Sequence, residues 1–321
     1  MSVHTLDIDS GERDPVAYPN PGDYVVELKN PIYNVSKISL VSARIHASQL
    51  LINDRNNTFS VNGTTISLPN ENYNGNELAA ELLSKFQAEA SVPISTASYD
   101  KSKNELTFGG SSAFTFEFYG GDNGFDTGSE GLTTPHDILG LPASNVTSVN
   151  DTLTTGSINL QGPDALILKI SSGAEELNKT VYSDTPFYTG RILMCGDVIN
   201  YSGVDDTIEH NFESGSQNIS KLRIQFFYSS NNRLIPYDFR NANHVLKLSI
   251  DGAIDKLSRV PMVKKGTELQ NEERTEGYRL PPNIQSRVDD LNKWNGFVYI
   301  FLIILTGCFF MVFTKPRKFS E

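Results

Sequence analysis

The sequence predicts a mainly β protein: a β-sandwich or jelly-roll-like body with one inserted helix, followed by a single C-terminal transmembrane helix. Three observations lead there. Short apolar runs alternate with turn residues throughout residues 1–256. Only 20% of the 321 residues are charged, and Asn, Ser, Thr and Gly fill the difference, as turn-rich strands require. Near the C-terminus, residues 294–314 carry no charge at all.

The elements follow in order. Residues 24–28 (Tyr-Val-Val-Glu-Leu) come after a Pro-Asn-Pro-Gly turn and predict a strand. Residues 37–51 alternate through Ile38, Leu40, Val41, Ala43 and Ile45, a second and longer strand. Residues 58–61 and 64–68 flank Asn62-Gly63, which supplies the two positive-φ positions of a type I′ hairpin turn. The helix follows: Asn76 is placed to cap it, Leu78, Ala79, Leu82, Leu83 and Phe86 recur at 3–4 spacing, and it ends near Ala90, before Pro93.

Strands resume at 94–99, 105–108 and 114–118, with 101–104 as a hairpin tip, 120–129 as a glycine-rich loop and 135–140 as a helical turn. In the second half, 157–160, 165–171, 198–201, 221–228 and 244–250 predict strands. Leu222, Ile224, Phe226 and Tyr228 share one pleat face. Val245, Leu246, Leu248 and Ile250 suggest a strand buried on both faces. A seam at 153–157 would divide the body if it were two small sandwiches.

From 257 to 293 the pattern fails. Lys264-Lys265-Gly266 and Asn271-Glu272-Glu273-Arg274 are strongly polar, and Pro281-Pro282 breaks any helix, so this stretch is expected to be a tether. Residues 294–314 then match the roughly 20 apolar residues that cross a bilayer as helix. Phe297, Ile303, Phe309 and Phe313 belong to the apolar rod. Trp294 and Tyr299 suit one membrane interface, and Lys315, Arg317 and Lys318, in the basic tail 315–321, suit the other. A buried core helix of this length would keep a polar stripe, and none is present. The N-terminus shows no basic and apolar signal regions, so the large N-terminal part is expected on the cytosolic side and the tail across. The positive-inside rule pulls weakly the other way, since Arg279, Arg287 and Lys293 flank the span upstream.

Charge bounds the partners. The chain has 38 acidic and 27 basic residues, and without Lys315, Arg317, Lys318 and Glu321 the rest keeps 37 and 24, a net −13. Phosphate backbones need a basic face, so nucleic-acid contact by the body is not expected. Docking to neutral or basic proteins is favoured. The tail's three cations suit anionic headgroups. Two cysteines, Cys195 in a polar setting and Cys308 in the apolar run, make no disulfide framework and suit a reducing compartment. N-x-S/T triplets such as Asn62-Gly63-Thr64 and Asn178-Lys179-Thr180 then read as by-products of polar turns rather than glycosylation sites.

Catalytic patterns are thin. Asp205, Asp206, Glu209, His210 and Glu213 concentrate carboxylates and one imidazole in a loop, and no second His lies nearby to complete a metal site. Asp122, Asp126 and Glu130 lack EF-hand spacing. No G-x-S-x-G, G-x-x-x-x-G-K-S/T or H-E-x-x-H occurs. His4, His46, His136, His210 and His244 are scattered, with His46 and His244 in strand patterns. No enzyme, cofactor or metal is expected.

The N-terminal run Leu6, Asp7, Ile8, Asp9, Ser10, Arg13, Asp14, Tyr18, Pro19, Asn20, Pro21 and Tyr24 resembles a signature of minor capsid proteins of large icosahedral, chlorovirus-like DNA viruses with an internal membrane. Asn34-Val35, Ile38, Leu40, Ser42-Ala43, Ile45 and Asn56-Asn57-Thr58-Phe59 continue it, then Tyr73, Glu77-Leu78-Ala79 and Ile138-Leu139-Gly140. Leu222, Ile224, Phe226, Tyr237-Asp238-Phe239, His244 and Leu246 look like a second half-signature. The resemblance implies a structural virion protein docked under the major capsid shell. Its partners would be the major capsid protein, other minor capsid proteins and the bilayer. It would sit at the inner membrane as a single-pass protein with its body facing the shell. In the signature itself, Pro19 and Pro21 are expected to stiffen the entry to the first strand, Arg13 and Asp14 to fix that loop by hydrogen bonds, and Tyr18 and Tyr24 to offer amphipathic contact area, with a role in building the fold favoured over direct partner contact. An alternative is a cellular tail-anchored β-sandwich that binds a ligand or glycan at its loops.

Overall fold

The computed structural model describes residues 2–119, 131–173, 175–177, 180–182, 185–203, 207–212 and 217–252. These residues are mainly strand, with one α-helix. The expected tether, transmembrane helix and basic tail lie outside them, as does the loop 120–129. No helix among the described residues is long and apolar enough to cross a membrane.

The chain opens with β1 (Ser2–Asp9), a 3₁₀ turn (Ser10–Glu12) and β2 (Asp23–His46). It then builds a second set of elements: β3 (Thr58–Val61), β4 (Thr64–Ser67), α1 (Gly75–Ala88), β5 (Ile94–Asp100), β6 (Glu105–Gly110), β7 (Thr115–Glu117), β8 (Val146–Thr147) and β9 (Thr152–Ser157). It returns through β10 (Ala165–Ser172), β11 (Glu175–Leu177), β12 (Thr180–Tyr182), β13 (Thr185–Tyr188), β14 (Gly190–Leu193), β15 (Val198–Tyr201) and β16 (Glu209–Asn211). Last come β17 (Gln217–Ser230), β18 (Arg233–Pro236) and β19 (Val245–Gly252).

The outer parts of this sequence form one ten-stranded sheet with the order β1-β19-β2-β17-β10-β11. Strand β14 joins β10, β15 and β16 join β2, and β18 joins β17. Every pairing in it is antiparallel. Strand β2 changes partners along its length: residues 23–35 pair with β17, whereas 35–44 pair with β19, and 37–46 meet β16 and β15. The sequence predicts two strands here, 24–28 and 37–51, separated by residues 29–36. The structure runs them together. Pro31 lacks an N–H, and it falls where the β17 register slips twice, with Asn34 at φ 58° just beyond. A bulge absorbs a residue that cannot join the ladder, and it bends the strand toward new partners. The face enclosed by this bend is the first core, with Ile38, Leu40, Leu168, Leu222, Ile224 and Leu248 buried.

The second core belongs to the middle of the chain. Sheet β4-β3-β7-β8 and sheet β5-β6-β9 pack with α1 around Phe59, Phe86, Phe108, Phe114, Phe116 and Phe118. Phe116 is the hub: it stacks on Phe59 at 5.7 Å and meets Phe86, Phe108, Phe114 and Phe118 at 5.2–6.4 Å. The 58–68 hairpin turns as expected, with Asn62 at φ 49° and Gly63 at φ 77°.

Three expectations need correction. The helix is capped by Asn74, not Asn76, because Asn74 and Glu77 form a reciprocal capping box. The strand expected at 157–160 is β9, and it ends at Ser157, where its partner β6 runs out at Glu105. Beyond it the backbone turns to another partner: Asn159 N donates to Ile138 O, while Gly156 N donates to Gly140 O. Gly140 stands at φ +65°, and a Cβ there would meet Ser157 O at 2.6 Å, so only glycine fits. Finally, β19 is buried on one face only. Leu246, Leu248 and Ile250 point inward, whereas Val245 and Lys247 are exposed. Strand β1 was not expected, since its outward residues leave little apolar signal, yet it pairs with β19 from Ser2↔Gly252 to Asp9↔Val245.

Phe116→Ala is expected to cost about 3–5 kcal/mol through the cavity it opens. Lys85→Ala, which removes only a half-exposed helical ion pair with Glu81, is expected to cost under about 0.5 kcal/mol. Urea unfolding of the two variants checks the contrast.

Candidate functional site

The signature loop lies between β1 and β2, and its geometry starts with short-range hydrogen bonds. Asp9 Oδ1 accepts from Gly11 N at 2.8 Å and so caps the 3₁₀ turn. Asp14 Oδ1 accepts from Val16 N and Ala17 N, and Asp14 O accepts from Tyr18 N. Asn20 Oδ1 accepts from Gly22 N at 2.8 Å, across the buried Pro21. These are Asx-type turns, in which a side chain imitates a backbone acceptor.

Arg13 ties the turns together. Its Nε donates to Tyr18 O at 2.9 Å, Nη1 to Ser10 O at 2.7 Å and Asn243 Oδ1 at 3.1 Å, and Nη2 to Pro19 O at 3.2 Å. A planar guanidinium presents donors in fixed directions, which a lysine ammonium does not. Ser10 is fully buried, and it exchanges bonds with the far end of the chain: Ser10 N donates to His244 O, and His244 N donates to Ser10 Oγ.

The Tyr24 hydroxyl lies 3.0 Å from His244 Nε2. The imidazole is walled by Phe226 at 4.7 Å and Phe239 at 4.8 Å. Its Nδ1 is buried and has no hydrogen-bond partner among the described residues. Burial, with the Arg13 charge in support, pushes the His244 pKa down to about 4. Burial and the Asp9 charge hold the Tyr24 phenol well above its ordinary range. Both groups are therefore neutral near pH 7. Tyr18 packs half-buried on the first core, whereas Pro19 is exposed.

The structure thus brings the two half-signatures together: Ser10 and Tyr24 meet His244, which Phe226 and Phe239 flank, across more than 200 residues of sequence, and Arg13 reaches the adjoining Asn243. Asn243 was missed, although its place beside His244 at the start of a strand was a usable signal. Also missed was a chain of buried hydroxyls between the two cores. Tyr119, Thr133, Ser230 and Asp137 are linked in turn, and His136 Nε2 lies 3.2 Å from Asp137 Oδ1. Burial pushes the Asp137 carboxyl up, but the His136 and Ser230 contacts outweigh it and leave it below its usual range.

Of the acidic loop, Asp205, Asp206 and Glu213 lie outside the described residues. Glu209 is ion-paired with Lys37, which holds its carboxyl low, and the His210 ring sits edge-on to Phe212 at 4.5 Å. Asp122, Asp126 and Glu130 also lie outside. Among the described residues no group of three or more His, Cys, Asp or Glu is arranged to hold a metal. Trp294, Phe297, Tyr299, Ile303, Phe309, Phe313, Lys315, Arg317 and Lys318, expected to form the membrane anchor, lie outside as well.

Residues 2–119 match a family of unknown function (DUF5901). That segment contains the signature loop and most of the second core. No curated protein matches. Among solved structures, the chain is similar to the mavirus penton protein, at 10% identity and a TM-score of 0.37, over 78% of this chain and 100% of that one. A TM-score at that level is too low to assign a shared fold or role.

Two outcomes follow from the loop. Arg13→Lys is expected to destabilise the protein by about 1–3 kcal/mol, because the part-buried Ser10 and Tyr18 carbonyls lose a donor; urea midpoints measure this. His244 is protonated near pH 6.5 in the unfolded chain and only near 4 in the fold. Its contribution is therefore complete above pH 6.5 and is lost as the pH falls toward 4, by about 3 kcal/mol in all. His244→Gln is expected to flatten that part of the stability–pH curve.

Proposed function

We propose that this chain is a structural virion protein: a minor capsid protein whose β body docks under the major capsid shell and whose C-terminal rod anchors it to an inner membrane. The observation that carries the proposal is the uncharged run 294–314 behind a polar stretch and a β-rich body. The signature resemblance supplies the virion setting. A helix of that composition is too costly to extract from lipid, so it confines the body to the membrane plane. Confinement raises the body's local concentration for shell partners. In this reading the body is a jelly-roll-like sandwich facing the shell, the polar stretch spans the gap, and the basic tail lies among headgroups on the far side.

The described geometry is compatible with a scaffold. Both halves of the signature are spent on holding loop and strands together, and the exposed parts of the loop, Val16 at its tip and Pro19, remain for contact. No reaction step is assigned to any residue.

Full-length protein is expected to float with liposomes in a density gradient, and a chain lacking residues 294–321 to stay in the load fraction. Flotation of the truncated chain would overturn the anchor. Detergent treatment of virions is expected to release the protein only in part, because shell contacts also hold it.

A further inference from the structure

The chain passes between its two cores twice, once through residues 47–51 and once through 160–164. These passages border two cavities that share Gln49, Leu51, Gly162, Pro163 and Asp164. One cavity, of about 350 Å³, reaches Asp137, Ser230 and Tyr228; the other, of about 440 Å³, reaches Asp197, Met194 and Tyr237. Together they make one groove along the junction.

Its chemistry is one-sided. Asp137, Asp164 and Asp197 are placed along the groove, all exposed, and no Lys or Arg lines it among the described residues. The carboxylates of Asp164 and Asp197 make no ion pair among the described residues; only their backbone carbonyls are used, accepting from Met194 N and Ala47 N. Leu51, Ile138 and Pro163 add apolar lining. A lysine or arginine side chain fits that mixture, its methylenes on the apolar lining and its cation on a carboxylate.

A second observation points the same way. Tyr228 lines the groove, is 5% exposed, and its hydroxyl has no hydrogen-bond partner among the described residues. A buried hydroxyl without a partner is costly, and such groups need an explanation. This one feels the charges of Arg55 and, less, Asp137, and stands beside the Thr133–Ser230 hydroxyl chain. An incoming lysine or arginine would donate to its oxygen.

We propose that the groove is a docking site for an extended segment of a partner protein that carries lysine or arginine. The inference stands on the groove alone and holds whatever the body's role. Carboxylates at intervals select for cations and set the register of the segment.

The test uses full-length protein in a zwitterionic detergent and a fluorescein-labelled peptide, Gly-Lys-Gly-Ser-Lys-Gly-Ser-Lys-Gly, read by anisotropy. A peptide with glutamine for lysine is the control. The lysine peptide is expected to bind and the glutamine peptide to bind far more weakly. Asp164→Asn with Asp197→Asn is expected to weaken binding about tenfold. Glu89→Gln with Asp151→Asn, an equal charge loss on exposed positions elsewhere, is expected to leave it unchanged. Tyr228→Phe, which removes only the orphan hydroxyl, is expected to weaken binding several-fold in a protein that still unfolds cooperatively. Absence of binding, equal binding of both peptides, or equal weakening by the two charge-neutralised pairs would overturn the proposal. Equal weakening would mean bulk attraction to an acidic protein.

Discussion

Strand β2 carries the main constraint on the first sheet. Over Asp23–His46 it must satisfy its backbone groups with β17 at one end and with β19, β15 and β16 at the other. An unpaired backbone group in a protein interior is costly, so the strand cannot leave one partner before it has met the next. The slipped register around Pro31 and the left-handed Asn34 are what let it do so. Strands β1 and β18, and β10 with its neighbours, attach to the partners of β2 rather than to β2 itself. The first core is therefore shaped by where one strand bends.

The signature loop is the clasp on that arrangement. It lies just ahead of β2, and it bonds to the residues just ahead of β19, which is the next strand in the sheet. Arg13 gathers carbonyls from both arms of the loop, while Ser10 and Tyr24 reach His244. Ser10, Tyr24 and His244 are held away from water, and the imidazole stays uncharged. The loop's fixed carbonyl acceptors, met in several directions at once, explain why a guanidinium stands at position 13.

Much of this was legible in the sequence, for identifiable reasons. Strands with strong alternation, such as those expected at 37–51 (which ends at His46) and 221–228, announce themselves, and so does the Asn62-Gly63 hairpin. The helix was legible from its apolar spacing, but its start was not. Asn74 and Asn76 are both good caps, and only the reach of Glu77 back to Asn74 decides between them. Strands of three or four residues, such as β11, β14 and β16, hold too few positions to show a period. Strand β1 presents mostly exposed residues and is defined by its partner. In the site, the loop residues stood out by type and order. Their partners did not, because nothing local links Ser10 to His244 or Tyr119 to Ser230. Charge was legible as a total, but its concentration along one groove depends on how the two cores face each other.

The middle of the chain leaves the first sheet after His46 and comes back before Ala165, and the two passages run side by side. A part hung on one strand of chain can swivel; a part hung on two neighbouring strands is braced against torsion. Entry and exit at one place also make that part a cassette. It can be lengthened, swapped or lost between lineages while the remaining scaffold keeps its own continuity.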